Sequence, residues 1–143
     1  MTGFHLDRFL PYQLAVLSAR VSRGFSGIYK ERFGISVAEW RLVAHLSQCD
    51  PVSVREITAR VDMDKSKVSR AASRLEAAGY LSKTANANDG RLVALSLSDK
   101  GRAMVEELAP LAREYEASVL EMLGQSAPGF RAAIDRLLAS PRL

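Results

Sequence analysis

The chain has 143 residues, of which 48% are hydrophobic and 25% charged, a composition typical of a folded globular protein and unlike that of disordered or collagen-like chains. The sequence has no apolar run approaching the roughly 18 residues of a membrane span, and its N-terminus lacks the basic and apolar regions of a signal peptide. The single cysteine, Cys49, excludes an intramolecular disulfide. We therefore expect a cytoplasmic protein, whose net charge of +4 permits nucleic acid as a partner without establishing it.

The first third of the chain predicts one long helix. Apolar residues recur there at steps of three or four, the spacing of one helical face: Leu10, Leu14, Leu17, Val21, Phe25 and Ile28. Pro11 lies near the start of the pattern, where a missing N–H matters least, and Gly34 predicts the end. Ser36 and Glu39 then have the spacing of a capping box, which predicts that a second helix begins directly after Ser36.

The middle of the chain predicts a short helix followed by a basic one. Ser53 and Glu56 repeat the capping-box spacing, and Asp64 is a suitable cap for a helix over residues 65–78. One face of that helix is apolar: Val68, Ala71, Ala72 and Leu75. Within residues 65–74, the side chains outside this stripe are all lysine, arginine or serine: Lys65, Ser66, Lys67, Ser69, Arg70, Ser73 and Arg74. Because residues 65–74 contain no acid, this surface is suited to an anionic partner.

After Gly79 the hydrophobic period changes from helical to alternating. Residues 81–84 and 93–97 predict two short strands, and the Asp89–Gly90 pair between them favours a hairpin turn. Two amphipathic helices follow, over residues 99–123 and 126–139. The predicted fold class is mainly α with a small sheet (α+β).

A tight turn between two helices, the second of them basic, and then a hairpin are typical of the winged helix-turn-helix. The major groove of DNA admits one α-helix, and lysine, arginine and serine can donate to base edges and phosphates. The hairpin tip offers Arg91 to the neighbouring minor groove, with Asn86 and Asn88 for phosphate or sugar. The sequence therefore predicts a double-stranded DNA-binding surface on the basic helix and hairpin.

Four segments of this region resemble the MarR family of winged helix-turn-helix transcriptional regulators. They are residues 64–70 (DKSKVSR), 75–81 (LEAAGYL), 89–91 (DGR) and 95–101 (LSLSDKG). The resemblance implies a homodimer, a near-palindromic operator, and an ion pair through which Asp89 positions Arg91. It also implies a DNA-binding lobe over residues 35–100 within the single chain 1–143, with residues 1–34 and 101–143 forming a helical dimerisation lobe.

The family resemblance further implies regulation by a small molecule. Many family members bind aromatic carboxylates or phenolic compounds in the crevice between the two lobes. The side chains suited to such a ligand here are His5, Arg8, Tyr12, Trp40 and Arg41. On this basis the chain is expected to be a transcriptional repressor that a small aromatic acid or phenolic effector releases from DNA.

Four other interpretations are weaker or less specific. The sequence shows no catalytic constellation and no glycine-rich phosphate loop, so we do not expect an enzyme. His5 and His45 stand far apart without ligand-spaced partners, so neither a metal nor another cofactor is expected, and Cys49 lacks basic neighbours in sequence that would favour a reactive thiolate. The alternative function is a winged-helix protein-interaction module that uses the basic face for an acidic partner.

Overall fold

The structure is a computed structural model that describes residues 3–49, 51–85 and 93–143. The helices are α1 (Leu10–Phe33), α2 (Val37–Leu46), α3 (Val54–Val61), α4 (Lys65–Ala77), α5 (Asp99–Leu123) and α6 (Ala127–Leu138). The strands are β1 (Val52–Ser53), β2 (Leu81–Ala85) and β3 (Val93–Leu97). Single turns of 3-10 helix, Leu6–Arg8 and Gly124–Ser126, precede α1 and α6. This mainly helical fold with a small sheet confirms the predicted fold class.

Side-chain caps define the helix boundaries where the sequence predicted them. The Ser36 hydroxyl accepts from the Glu39 N–H at 3.2 Å, and the Glu39 carboxylate accepts from the Ser36 N–H at 3.1 Å, which completes a capping box. Asp64 caps α4 by accepting from the Lys67 N–H at 2.8 Å. At the end of α1, Gly34 adopts a left-handed conformation with φ of 68°.

The sheet is antiparallel, with strand order β1-β3-β2. Strands β2 and β3 form the predicted hairpin, in which Leu81 pairs with Leu97 and Ala85 with Val93. Strand β1 was not predicted, because two residues are too few to show an alternating pattern. Its Val52 pairs with Leu95 across the sheet, which connects the turn before α3 to the hairpin.

The core forms where the helix-turn-helix packs on the sheet. Its fully buried side chains come from α1, α2, α3, α4, β3 and α5, among them Tyr29, Leu42, Val43, Leu46, Ile57, Val68, Leu75, Leu95, Met104 and Leu108. The stripe predicted for α4 is buried as a whole. On α3 only Ile57 is buried, whereas Val54 and Val61 remain half-buried at the two ends of this short helix.

The chain divides into two compact units, Met1–Ala109 and Pro110–Leu143. The first contains the core just described. The second consists of the remainder of α5, the 3-10 turn and α6, and within it Arg131 forms an ion pair with Glu116 at 2.8 Å. No helix in the described ranges is long and apolar enough to cross a bilayer.

Each unit exposes a set of large apolar side chains. On α1 the predicted stripe is buried at Phe25, which is 7% exposed, but not at Leu14 or Leu17, which are 47% and 45% exposed. The exposed members of the first unit continue on both sides of these two: Phe4, Leu6, Phe9, Leu10, Tyr12 and Val21. Those of the second unit are Met122, Phe130, Ile134, Leu137, Leu138 and Leu143. Apolar surface of this extent usually marks a protein–protein interface.

Candidate nucleic-acid interface

Helix α4 is held in the core by one face and offers the other to solvent. Its apolar stripe is buried, and the structure leaves six of the seven predicted contact residues exposed: Lys65, Ser66, Lys67, Arg70, Ser73 and Arg74. Ser69, the seventh, is half-buried. The polar side chains that were predicted from helical periodicity therefore lie on one accessible surface, which we call the α4 face.

Among the residues that the structure describes, the cations of the α4 face lack acidic partners. No carboxylate of the described ranges lies within 4.0 Å of Lys67, Arg70 or Arg74. Elsewhere several cations are neutralised, as in the pairs Arg32–Glu107 at 3.4 Å and Arg102–Asp99 at 3.3 Å. The α4 face thus keeps its positive potential available for an external anion.

Strand β2 adds a cation beside α4 that the sequence analysis missed. The Lys83 ammonium donates to the Ser73 hydroxyl at 2.8 Å and lies 4.0 Å from the Glu76 carboxylate. Because Lys83 follows Leu81 by two residues, both lie on the same side of the strand, and Leu81 is buried. That alternation is the sequence signal that could have placed Lys83 near α4.

The C-terminal end of α4 is fixed to the beginning of α5. Gly79 has a φ of 84°, which lets the Tyr80 N–H return to the Leu75 carbonyl at 2.9 Å. The Lys100 ammonium donates to the Ala78 carbonyl at 2.7 Å and lies 4.7 Å from the centre of the Tyr80 ring. The Ser98 hydroxyl donates to the Gly79 carbonyl, so the motif before α5 positions the end of α4.

The tip of the hairpin is outside the described residues. Four predicted DNA contacts fall there: Asn86, Asn88, Asp89 and Arg91. The strands that lead to the tip, β2 and β3, are paired up to Ala85 and Val93. The predicted roles of the four residues therefore stay predictions.

The residues predicted for an effector fall into two groups. His5, Arg8 and Tyr12 lie at the N-terminal end of α1 and just before it, whereas Trp40 and Arg41 belong to α2. The structure does not bring these two groups together within one chain, as the aromatic contacts of Trp40 make clear.

The Trp40 ring stacks on Tyr29 with ring centres 5.6 Å apart and meets Phe25 edge-on at 5.4 Å. Tyr12 precedes Phe25 by 13 residues, which at about 1.5 Å per helical residue places it roughly 20 Å away along α1. Burial raises the pKa of Tyr29 above its ordinary value, against the opposing effect of the Arg41 charge. The aromatic cluster of Phe25, Tyr29 and Trp40 therefore joins α1 to α2 as a packed core element.

A model of the MarR family matches residues 33–92, the segment from the end of α1 through the hairpin tip. Over this segment the chain is similar to the MarR family. It is 31% identical to the HTH-type transcriptional repressor MdtR of Bacillus subtilis (strain 168) over 93 residues, which are 65% of this chain and 60% of MdtR. The chain thus spans less than two thirds of the length of the curated relatives that it matches.

Solved MarR-family structures share the fold over nearly the full chain. The crystal structure of a MarR/EmrR family transcriptional regulator from Acinetobacter sp. ADP1 is 27% identical, with a TM-score of 0.81 over 94% of this chain and 95% of that one. Bordetella bronchiseptica BpsR, whose DNA binding is regulated by 6-hydroxynicotinic acid, is 23% identical with a TM-score of 0.75 over 96% and 95%. MarR-family members are transcriptional regulators, in agreement with the prediction that the chain is not an enzyme.

Proposed function

We propose that this chain binds double-stranded DNA through the α4 face and regulates transcription. The observation that carries the proposal is the set of exposed cations on α4 without carboxylate partners in the described chain. Lysine and arginine at these positions suit both phosphate contacts and the acceptor atoms of guanine in the major groove. The hairpin residues Asn86, Asn88, Asp89 and Arg91 are proposed to extend the same surface into the adjacent minor groove.

The DNA-binding form is proposed to be a homodimer. Residues 1–34 and 101–143 would form the dimerisation lobe, because large apolar side chains of α1 and α6 are exposed in the single chain. A two-fold axis would repeat the DNA-binding lobe, residues 35–100, at a spacing of about 34 Å, one turn of B-DNA. The operator would then be a near-palindrome.

The regulator is further proposed to be a repressor that a small aromatic acid or phenolic compound releases from DNA. Two similar proteins support this choice: MdtR is described as a transcriptional repressor, and the DNA binding of BpsR is regulated by an aromatic acid. Release requires that the effector bind more tightly to a dimer whose α4 helices have another spacing. The two predicted groups would then contribute to one pocket from different chains of the dimer, or only one group would line it. The groups are His5, Arg8 and Tyr12, and Trp40 and Arg41.

Replacement of Arg70 by alanine is expected to weaken binding to the operator at least 30-fold. Loss of one base contact costs about 1–3 kcal/mol, and a symmetric dimer loses two. We would select the operator from a random duplex pool with the wild-type protein and measure affinity by fluorescence anisotropy. Arg136→Ala, an exposed cation on α6, is the control for net charge and is expected to bind normally.

Two outcomes of that experiment would contradict DNA binding by the α4 face. The first is an Arg70 variant with unchanged operator affinity and an unchanged base preference. The second is a wild-type protein that binds no duplex at low salt but copurifies with an acidic protein, which would favour the protein-interaction module.

An aromatic acid that acts as effector is expected to raise the melting temperature of the protein and to lower its operator affinity in the same concentration range. Both changes follow from linkage, because a ligand that prefers the released dimer stabilises that dimer and competes with DNA. A thermal-shift screen of benzoates, hydroxylated benzoates and pyridine carboxylates, followed by anisotropy titration of each hit, measures both. Hits that stabilise the protein without affecting DNA affinity would contradict effector-driven release.

A further inference from the structure

A cationic cleft lies at one side of the α4 face and involves a residue outside the helix-turn-helix. Its volume is about 390 Å³, and it lies between α4, the end of α1 and the first turn of α2. Lys67, Arg70 and Arg74 of α4 line one wall, and Lys30 of α1 faces them. None of the described residues that line the cleft is acidic.

Lys30 is exposed and has no carboxylate within 4.0 Å among the described residues. Its neighbour Arg32, two residues further along α1, is paired with Glu107 at 3.4 Å. The end of α1 therefore directs one cation to an internal partner and leaves the other in the cleft. Four like charges around one cleft repel each other in the free protein, and a bound anion would relieve that repulsion.

The first turn of α2 adds hydrogen-bond donors to the same cleft. The capping box occupies the N–H groups of Ser36 and Glu39, and it also engages the Glu39 carboxylate, the acid of this first turn. The next two residues, Val37 and Ala38, line the cleft at positions whose N–H groups have no partner within the helix. The cations and N–H donors of the cleft therefore suit an acceptor-rich anion bound beside α4.

We propose that this cleft binds a backbone phosphate of the DNA strand that borders the major groove, and that Lys30 is a positioning residue of the interface. The inference rests on the proposed DNA-binding function and adds to it a contact from α1. A phosphate held between Lys30 and Arg74 would fix the depth and register of α4 without reading any base. Such a contact would also connect α1, whose other end carries the exposed apolar stripe, to the DNA backbone.

The test compares Lys30→Gln with Arg20→Gln, which removes the same charge from α1 about 15 Å further along the helix. Each dimer would lose two phosphate contacts in the Lys30 variant. We expect about a 30-fold loss of affinity near 0.15 M salt and a decrease of about 2 in the magnitude of the salt slope. The loss should be equal for operator and for random duplex, and the Arg20 variant should behave as the wild type.

Neutral methylphosphonates placed one at a time along the operator identify the contacted phosphate. At one position in each half-site the wild type should lose more affinity than the Lys30 variant, which keeps only the contacts of the α4 cations to that phosphate. Equal sensitivity of both proteins at every position, or an unchanged salt slope in the Lys30 variant, would overturn the inference while leaving DNA binding by Arg70 intact. Failure of the wild type itself to bind duplex DNA would instead overturn the proposed function, and this inference with it.

Discussion

Replacement of Gly101 by alanine is expected to lower the free energy of unfolding by about 3 kcal/mol. A Cβ atom at Gly101 would lie 2.0 Å from the Tyr80 carbonyl oxygen and 3.1 Å from a methyl group of Leu97. The oxygen belongs to the backbone and cannot move alone, because it accepts from the Ser98 N–H at 3.0 Å. Relief of the contact would therefore separate the beginning of α5 from the end of α4.

Urea denaturation followed by circular dichroism measures this loss, read from the midpoint at an unchanged slope. Gly27→Ala is the matched control, since an added Cβ there meets no described atom within 4 Å and alanine is favoured inside a helix by about 0.5–1 kcal/mol. The control should be as stable as the wild type or slightly more stable. Equal stability of the Gly101 variant and the wild type would show that the two backbones do not pack as closely as described.

The same contact gives a structural role to a motif outside the basic helix. Ser98, Lys100 and Gly101 hold the residues Ala78–Tyr80 that end α4. Any change in the direction of α5 would act on α4 through these short contacts. These three residues belong to the segment 95–101 that resembles the MarR family, and their structural role is to orient α4. This role does not require any of them to touch DNA.

Local signals explain how much of the fold could be predicted from the sequence. Periodicity and caps are short-range properties, and they placed α4 between Asp64 and Gly79 with its stripe of Val68, Ala71, Ala72 and Leu75 buried as predicted. The short strand β1 has no such pattern, since its existence depends on the partner strand β3. Elements defined by their own sequence were found, and the one defined only by its partner was not.

The candidate site shows the same division. The exposed face of α4 follows from the angle between successive helical residues, so its members could be assigned from sequence. The approach of Lys30 to that face depends on how the end of α1 packs near α2 and α4, and 35 residues separate Lys30 from Lys65. The predicted effector residues show the opposite case. Tyr12 and Trp40 were grouped because both are aromatic, but Trp40 packs near the C-terminal end of α1 and Tyr12 lies near its N-terminal end, so the length of α1 keeps them apart in one chain.

Negative charge introduced on the exposed stripe of α1 is expected to prevent formation of the proposed dimer and to reduce operator affinity about 10²- to 10⁴-fold. In the variant Leu14→Glu/Leu17→Glu two carboxylates replace side chains that are nearly half exposed in one chain and would be buried in a dimer. A monomer binds a single half-site and loses the high effective concentration of the second. The proposed DNA contacts of α4 are unchanged in this variant, so weak binding to one half-site should remain.

Sedimentation equilibrium measures the dimer, since one chain has a mass of 15.7 kDa and the wild type should sediment at twice that mass. Ala19→Glu is the control, because Ala19 is exposed on the opposite side of α1, and it should remain dimeric. Where the doubly charged variant loses its helical signal, the concentration dependence of the wild-type melting temperature decides instead, because a dimer melts higher at higher concentration. A wild type that sediments as one chain, and whose melting temperature is independent of concentration, would contradict dimerisation and leave the exposed stripes of α1 and α6 in need of another partner.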